Sequence, residues 1–202
     1  MRNKLEDQVL TPVSYDEFVW SFLCAESHKL QLQRESCIIV APNFNDPREN
    51  RQRTELLDSI RGKLVQRIPR STRWFRLQYL HPAHFQHLRV IGRCGWDNCN
   101  DQNELLSVCR RMPIDLESAP DHWPPLILWG HSHTGPLTIF EGNHRLVACA
   151  RSAQVTRITA AVFVGLSDDP CIFHMPDDPT QFAEVMDANL PYAPQPHSKA
   201  TL

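Results

Sequence analysis

Apolar and polar positions along the chain divide it into a few clear segments. Ser14 followed by Tyr15-Asp16-Glu17 predicts a helix start, with Ser14 as N-cap and Glu17 closing a capping box. Phe18, Phe22 and Leu23 give that helix its buried side, with Val19 at the margin. The run Cys37-Ile38-Ile39-Val40 between Ser36 and Ala41 predicts a buried strand ending at Pro42. Asp46-Pro47 opens a second helix, proline suiting a first turn. Leu56, Leu57, Ile60, Leu64 and Ile68 form its apolar stripe, and its arginines fall largely opposite. Trp74 to Leu80 alternates well enough for a strand.

Further on, His81 to Asn103 predicts loops, Glu104 to Arg111 a helix, and Pro120 to Pro125 a rigid connector. Leu126–Trp129 reads as a strand, Gly130–Gly135 as a turn, and Leu137–Phe140 as the returning strand. Gly142 permits a sharp turn, after which Leu146, Val147, Cys149 and Ala150 fall at helical spacing. A strand follows near Ile158–Val164, then a helix over Phe182–Asn189 and a disordered tail over residues 191–202. The expected architecture is α+β, a small mixed sheet with packed helices. Residues 1–120 form a helical and mixed region packed on a core at 121–190.

Composition narrows the class. A chain of 202 residues, 42% hydrophobic and with five tryptophans, is long enough to bury a full core unaided. A net charge of −2 predicts no general affinity for nucleic acid or membrane. Seven cysteines without a regular framework, and no long apolar run, lead us to expect a cytoplasmic protein with reduced thiols and no membrane partner.

The most informative stretch is Glu141-Gly142-Asn143-His144-Arg145, placed where a strand ends and a helix begins. Backbone N–H groups and the helix dipole favour anions at such a place. Glu141 suits a general base or a magnesium ligand, while His144 and Arg145 suit contacts to phosphate oxygens. Asn143 donates a hydrogen bond at the helix start or caps it. The plainer alternative is a local Glu141–Arg145 salt bridge with Asn143 only as a cap.

These five residues resemble the (Asp/Glu)-Gly-x-His-Arg signature of the ParB/sulfiredoxin superfamily. The resemblance runs from Pro124 to Gly165, a fifth of the chain. It implies a nucleotide, ATP or another nucleoside triphosphate, bound with Mg2+ through Gly142, Asn143, His144 and Arg145. The superfamily includes CTP-hydrolysing partition proteins, nucleases, ATPases, free-serine kinases and sulfiredoxin. Asn143 stands where sulfiredoxin-like enzymes need a cysteine, and the arginine-rich motif of the partition proteins is missing. What the resemblance implies first is an ATPase coupled to DNA cleavage. A small-molecule kinase and a non-catalytic inhibitor module docking on a protein partner, plasmid- or phage-encoded for example, are the alternatives.

Other candidates are weaker. Eight basic residues against four acids lie between Asp46 and Arg73, and Arg51, Arg61, Lys63, Arg67 and Arg73 are the candidate DNA contacts. A solvated helix face is the alternative. His84, His87, Cys94 and Cys99 offer four zinc-type ligands at unusual spacing. His131 with His133 offers a metal pair, and Cys171, His174 and Asp177 a thiol triad; local packing is the alternative for each. No Walker loop is present.

Overall fold

The computed structural model describes residues 9–30, 37–80, 84, 87–90, 124–143, 145–146, 158, 161–171 and 174, with backbone alone at 28–30, 37, 63 and 90. The expected helix at 104–111, the helix at 182–189 and the tail lie outside the described residues.

The described residues form nine elements in order: β1 (Leu10–Val13), α1 (Tyr15–Leu30), α2 (Cys37–Val40), α3 (Pro47–Val65), β2 (Arg73–Leu77), β3 (Leu88–Val90), β4 (Leu126–Gly130), β5 (Leu137–Glu141) and β6 (Val162–Leu166). The strands form one mixed sheet in the order β1-β2-β6-β4-β5-β3. β4 and β5 are an antiparallel hairpin, and β6 returns parallel to β4 on its other side. The α+β reading therefore holds at the level of class. Three strands from before residue 120 join the same sheet, β1 and β2 on one flank of β6-β4-β5 and β3 on the other.

Local chemistry accounts for the helix starts. Ser14 N–H donates to Glu17 Oε2 at 2.7 Å and Glu17 N–H to Ser14 Oγ at 3.1 Å, a closed capping box. Asp46 caps α3 through Arg48 N–H at 2.8 Å, with Pro47 in the first turn. α3 ends at Val65, before Ile68 of the expected apolar stripe, and departs from helical geometry at Arg61 (φ −135°).

α1 and α3 cover one face of the sheet. Phe18, Phe22, Leu23, Leu57 and Leu64 meet Trp74, Ile127, Trp129 and Phe140 in a single buried cluster. Val19, expected at the margin, is fully buried within it. Each such side chain contributes about 1.5–3 kcal/mol on burial. All five residues of β4, β5 and β6 are buried, so these three strands are the centre of the molecule.

Four elements differ from expectation. Cys37–Val40 is a short helix rather than a strand, and Val40 is exposed. Its carbonyls are taken by side chains: Trp20 Nε1 donates to Ile39 O at 2.8 Å and Arg53 Nη1 to Ile38 O at 3.1 Å. Strand β1 was not expected, and carries Pro12 at a sheet edge, where a missing donor is tolerated. Strand β3 lies inside the expected loop region and pairs parallel to β5. The strand expected near Ile158–Val164 starts at Val162, and Ile158 instead forms a lone bridge with Leu80, beyond the end of β2. Among the described residues, no helix is long and apolar enough to cross a membrane.

Candidate functional site

The turn after β5 is built around a glycine. Gly142 has φ +103°, a left-handed conformation that side chains disfavour. A Cβ there would also run into Leu126 Cδ2 of the neighbouring strand. Helical geometry begins at Asn143, and Leu146 N–H donates to Gly142 O at 2.9 Å, with Leu146 fully buried. The expected strand and turn are present at residues 137–142 and helical geometry at 143 and 145–146, while Val147, Cys149 and Ala150 of the expected helix lie outside the described residues.

Glu141 closes β5 with only 8% of its surface exposed. Its Oε1 lies 3.3 Å from Arg145 Nη2. The same guanidinium donates from Nη1 to Pro124 O and from Nη2 to Pro125 O at 3.2 Å. Arg145 thus joins the connector ahead of β4 to the end of β5, and the local salt bridge foreseen as the plain alternative is formed. Asn143 Oδ1 is buried and has no hydrogen-bond partner. An orphaned buried amide oxygen costs about 1–3 kcal/mol unless a ligand or ion meets it. His144 lies outside the described residues.

The basic segment divides into different roles. Arg51, Arg67 and Arg73 are exposed. Arg61 is spent on Glu26, at 2.8 Å, with Glu26 fully buried. The side chain of Lys63 lies outside the described set. Arg53 corrects the picture of a solvated arginine face: it is fully buried. It donates to Ile38 O, Glu49 at 3.2 Å, Asn43 O at 3.3 Å and Asn50 Oδ1, and its guanidinium lies 5.2 Å from the centre of the Phe44 ring. This arginine anchors the segment between α2 and α3, because its donors fill carbonyls that no ladder uses.

The histidines regroup in ways the sequence did not indicate. His131 and His174 meet edge to face with ring centres 5.0 Å apart, and Trp129 touches both at 5.3 and 5.2 Å. His131 Nδ1 bonds Ser167 O at 2.8 Å, and His174 Nδ1 bonds Thr138 Oγ1 at 2.9 Å. Cys171 Sγ points to Arg67 O at 3.7 Å, so His174 and Cys171 engage different partners, and Asp177 lies outside the described residues. His84 is buried, while Cys94 and Cys99 lie outside the described residues. Among the described residues, no three His, Cys, Asp or Glu side chains gather as a metal site. His131 and His174 are 43 positions apart, and only the parallel β4–β6 pairing brings them together, so no local signal announced them.

Compared with protein-family models, with curated proteins and with solved structures, the chain matches none.

Proposed function

We propose that the chain binds a nucleoside triphosphate, ATP in the first instance, at the 141–145 turn and moves its terminal phosphate to water, as an ATPase coupled to DNA cleavage. The observation that carries this reading is the turn itself. A glycine held at φ +103° separates a nearly buried carboxylate from a helix start whose asparagine has an orphaned buried oxygen. The hairpin β4–β5, the turn and the parallel return of β6 supply the context that a ParB/sulfiredoxin-like core over 124–165 would need. Glu141 orients the attacking water and takes its proton, while Arg145 holds that carboxylate in one orientation. His144 contacts phosphate oxygens. With Glu141 as the base, Asn143 Oδ1 is the hard oxygen donor at the turn that would face Mg2+, which would neutralise phosphate charge; Glu141 as the magnesium ligand is the alternative role of the same carboxylate. Exposed Arg51, Arg67 and Arg73 are the groups we assign to DNA backbone.

The test is phosphate release from ATP with magnesium, alone, with plasmid DNA, and with a hydroxyl-bearing amino acid. Stimulation by DNA with nicking of the plasmid supports the nuclease form. Stimulation by the amino acid without nicking moves the assignment to a small-molecule kinase. One observation favours a third, non-enzymatic reading: the Arg145 guanidinium is already closed onto Pro124, Pro125 and Glu141. Under that reading the turn is a structural latch in a module that docks on a protein partner, and no phosphate is released under any condition.

A further inference from the structure

A cavity of about 420 Å³ opens between the start of α1, the end of α3 and the start of β2. It shares no residue with the 141–145 turn and lies towards the other end of the strands. Trp74 is level with Gly165 and Trp129 near the end of β4, whereas Glu141 is level with Ile127 near its start. Phe18 and Trp74, stacked at 3.5 Å and 8°, form its buried floor, where Trp74 keeps 4% of its surface exposed and Phe18 none. Tyr15 leans on Phe18 at 5.7 Å and stands half-exposed at the rim. Gly165 lets this floor close. A Cβ there would sit 2.8 Å from Trp74, Trp129 and Thr72 alike.

Two exposed side chains of opposite charge, Asp58 and Arg70, also line the cavity. Among the described residues neither is engaged in an ion pair. Burial, then the charges of Asp58 and Asp16, push the Tyr15 phenol up from its ordinary value, so Asp58 projects its field onto the rim. Thr72 Oγ accepts the Trp129 indole N–H at 3.2 Å, which leaves its own proton to donate. An anion, a cation and aromatic side chains lining one cavity are together complementary to a small zwitterion with an apolar body. The volume falls in the range of small-molecule sites, about 300–1,000 Å³.

We infer that this cavity binds a free aromatic α-amino acid, with its ring against Trp74 and Tyr15, its ammonium at Asp58 and its carboxylate at Arg70. The pairing demands both charges on one small molecule. A peptide end or a simple organic cation satisfies only half of it.

Calorimetric titration with L-phenylalanine, taken to about 10 mM, tests the site. Saturable binding to the full chain is expected. N-acetyl-L-phenylalanine, which lacks the ammonium, and L-phenylalaninamide, which lacks the carboxylate, are each expected to bind about tenfold more weakly or worse. Asp58→Asn and Arg70→Gln are each expected to weaken L-phenylalanine by about tenfold. Because both side chains are exposed, both variants are expected to keep the wild-type circular dichroism and melting temperature. Absence of saturable binding by the folded wild type overturns the assignment. Binding unmoved by both variants, or either derivative binding as tightly as the free amino acid, overturns it equally.

Discussion

Glu141 and Arg145 lie 3.3 Å apart, one helical turn from each other in sequence, with side chains 11% and 19% exposed. The pair reaches further than its spacing implies, because the same guanidinium is also bound to the carbonyls of Pro124 and Pro125. One arginine therefore ties the entry of β4 to the exit of β5 and orients the carboxylate between them. Glu141 is held in place before any ligand arrives, which is the condition a general base needs.

Arg145→Ala is expected to lower stability by about 2 kcal/mol, since three charged hydrogen bonds vanish and two carbonyls lose partners. Arg145→Lys is expected to recover only part, because an ammonium lacks the fork that spans both prolines. Urea denaturation of the three proteins measures this. A loss below about 0.5 kcal/mol would show that the latch contributes nothing.

Gly142→Ala is expected to cost more than Gly135→Ala. At Gly142 a left-handed backbone and a clash with Leu126 combine, at about 1–3 kcal/mol for the strained backbone alone. At Gly135 the nearest atom to a new Cβ is 3.7 Å away, in ordinary contact. Melting temperatures of the two variants settle the ranking, and equal losses would remove the special role of the turn.

Arg53→Met is expected to destabilise by about 1–3 kcal/mol, because its removal orphans the Ile38 carbonyl and takes one of two donors from both the Asn43 carbonyl and Glu49, which keep Asp46 N–H and Asn43 N–H. Hydrogen exchange should show residues 37–50 losing protection first. Uniform loss across the sheet would argue against a local anchor.

Cys24 carries a pH signature. Burial pushes its thiol up from 9.0 to about 11. The charged form is disfavoured in the folded state, so the folded protein holds its proton where the unfolded chain releases it. This contribution is complete below about pH 9 and is lost as pH rises towards about 11. Tyr15 shifts in the same direction, again through burial first. Alkylation of Cys24 followed by peptide mass mapping should stay slow at pH 8 and accelerate only towards pH 11. Ready labelling at pH 8 would contradict the burial.

What the sequence made legible was local. The Ser14–Glu17 box and the Asp46-Pro47 start depend on residues within three positions, and both are present as read. The hairpin around Gly130–Gly135 and the turn at Gly142 were legible for the same reason. Cys37–Val40 was misjudged because a short apolar run has no periodicity to separate strand from helix. Trp20 and Arg53, 19 and 15 residues from the carbonyls they meet, decide it. The Glu141–Arg145 pair was foreseeable at i,i+4, but the reach of Arg145 to Pro124 spans 21 positions and was not. The cavity beside Trp74 drew on α1, α3 and β2 together, and no single segment announced it.

The proposed action of Glu141 on phosphate stands or falls with release of inorganic phosphate from magnesium ATP, measured for the wild type beside Glu141→Gln. Glutamine keeps an oxygen for Arg145, so the variant is expected to fold with an unchanged circular dichroism spectrum. Clear release by the wild type is expected, with a fall of about 100-fold or more in the variant. Equal rates, or no release by either protein with and without DNA, would contradict it and leave Glu141 as one half of a structural latch.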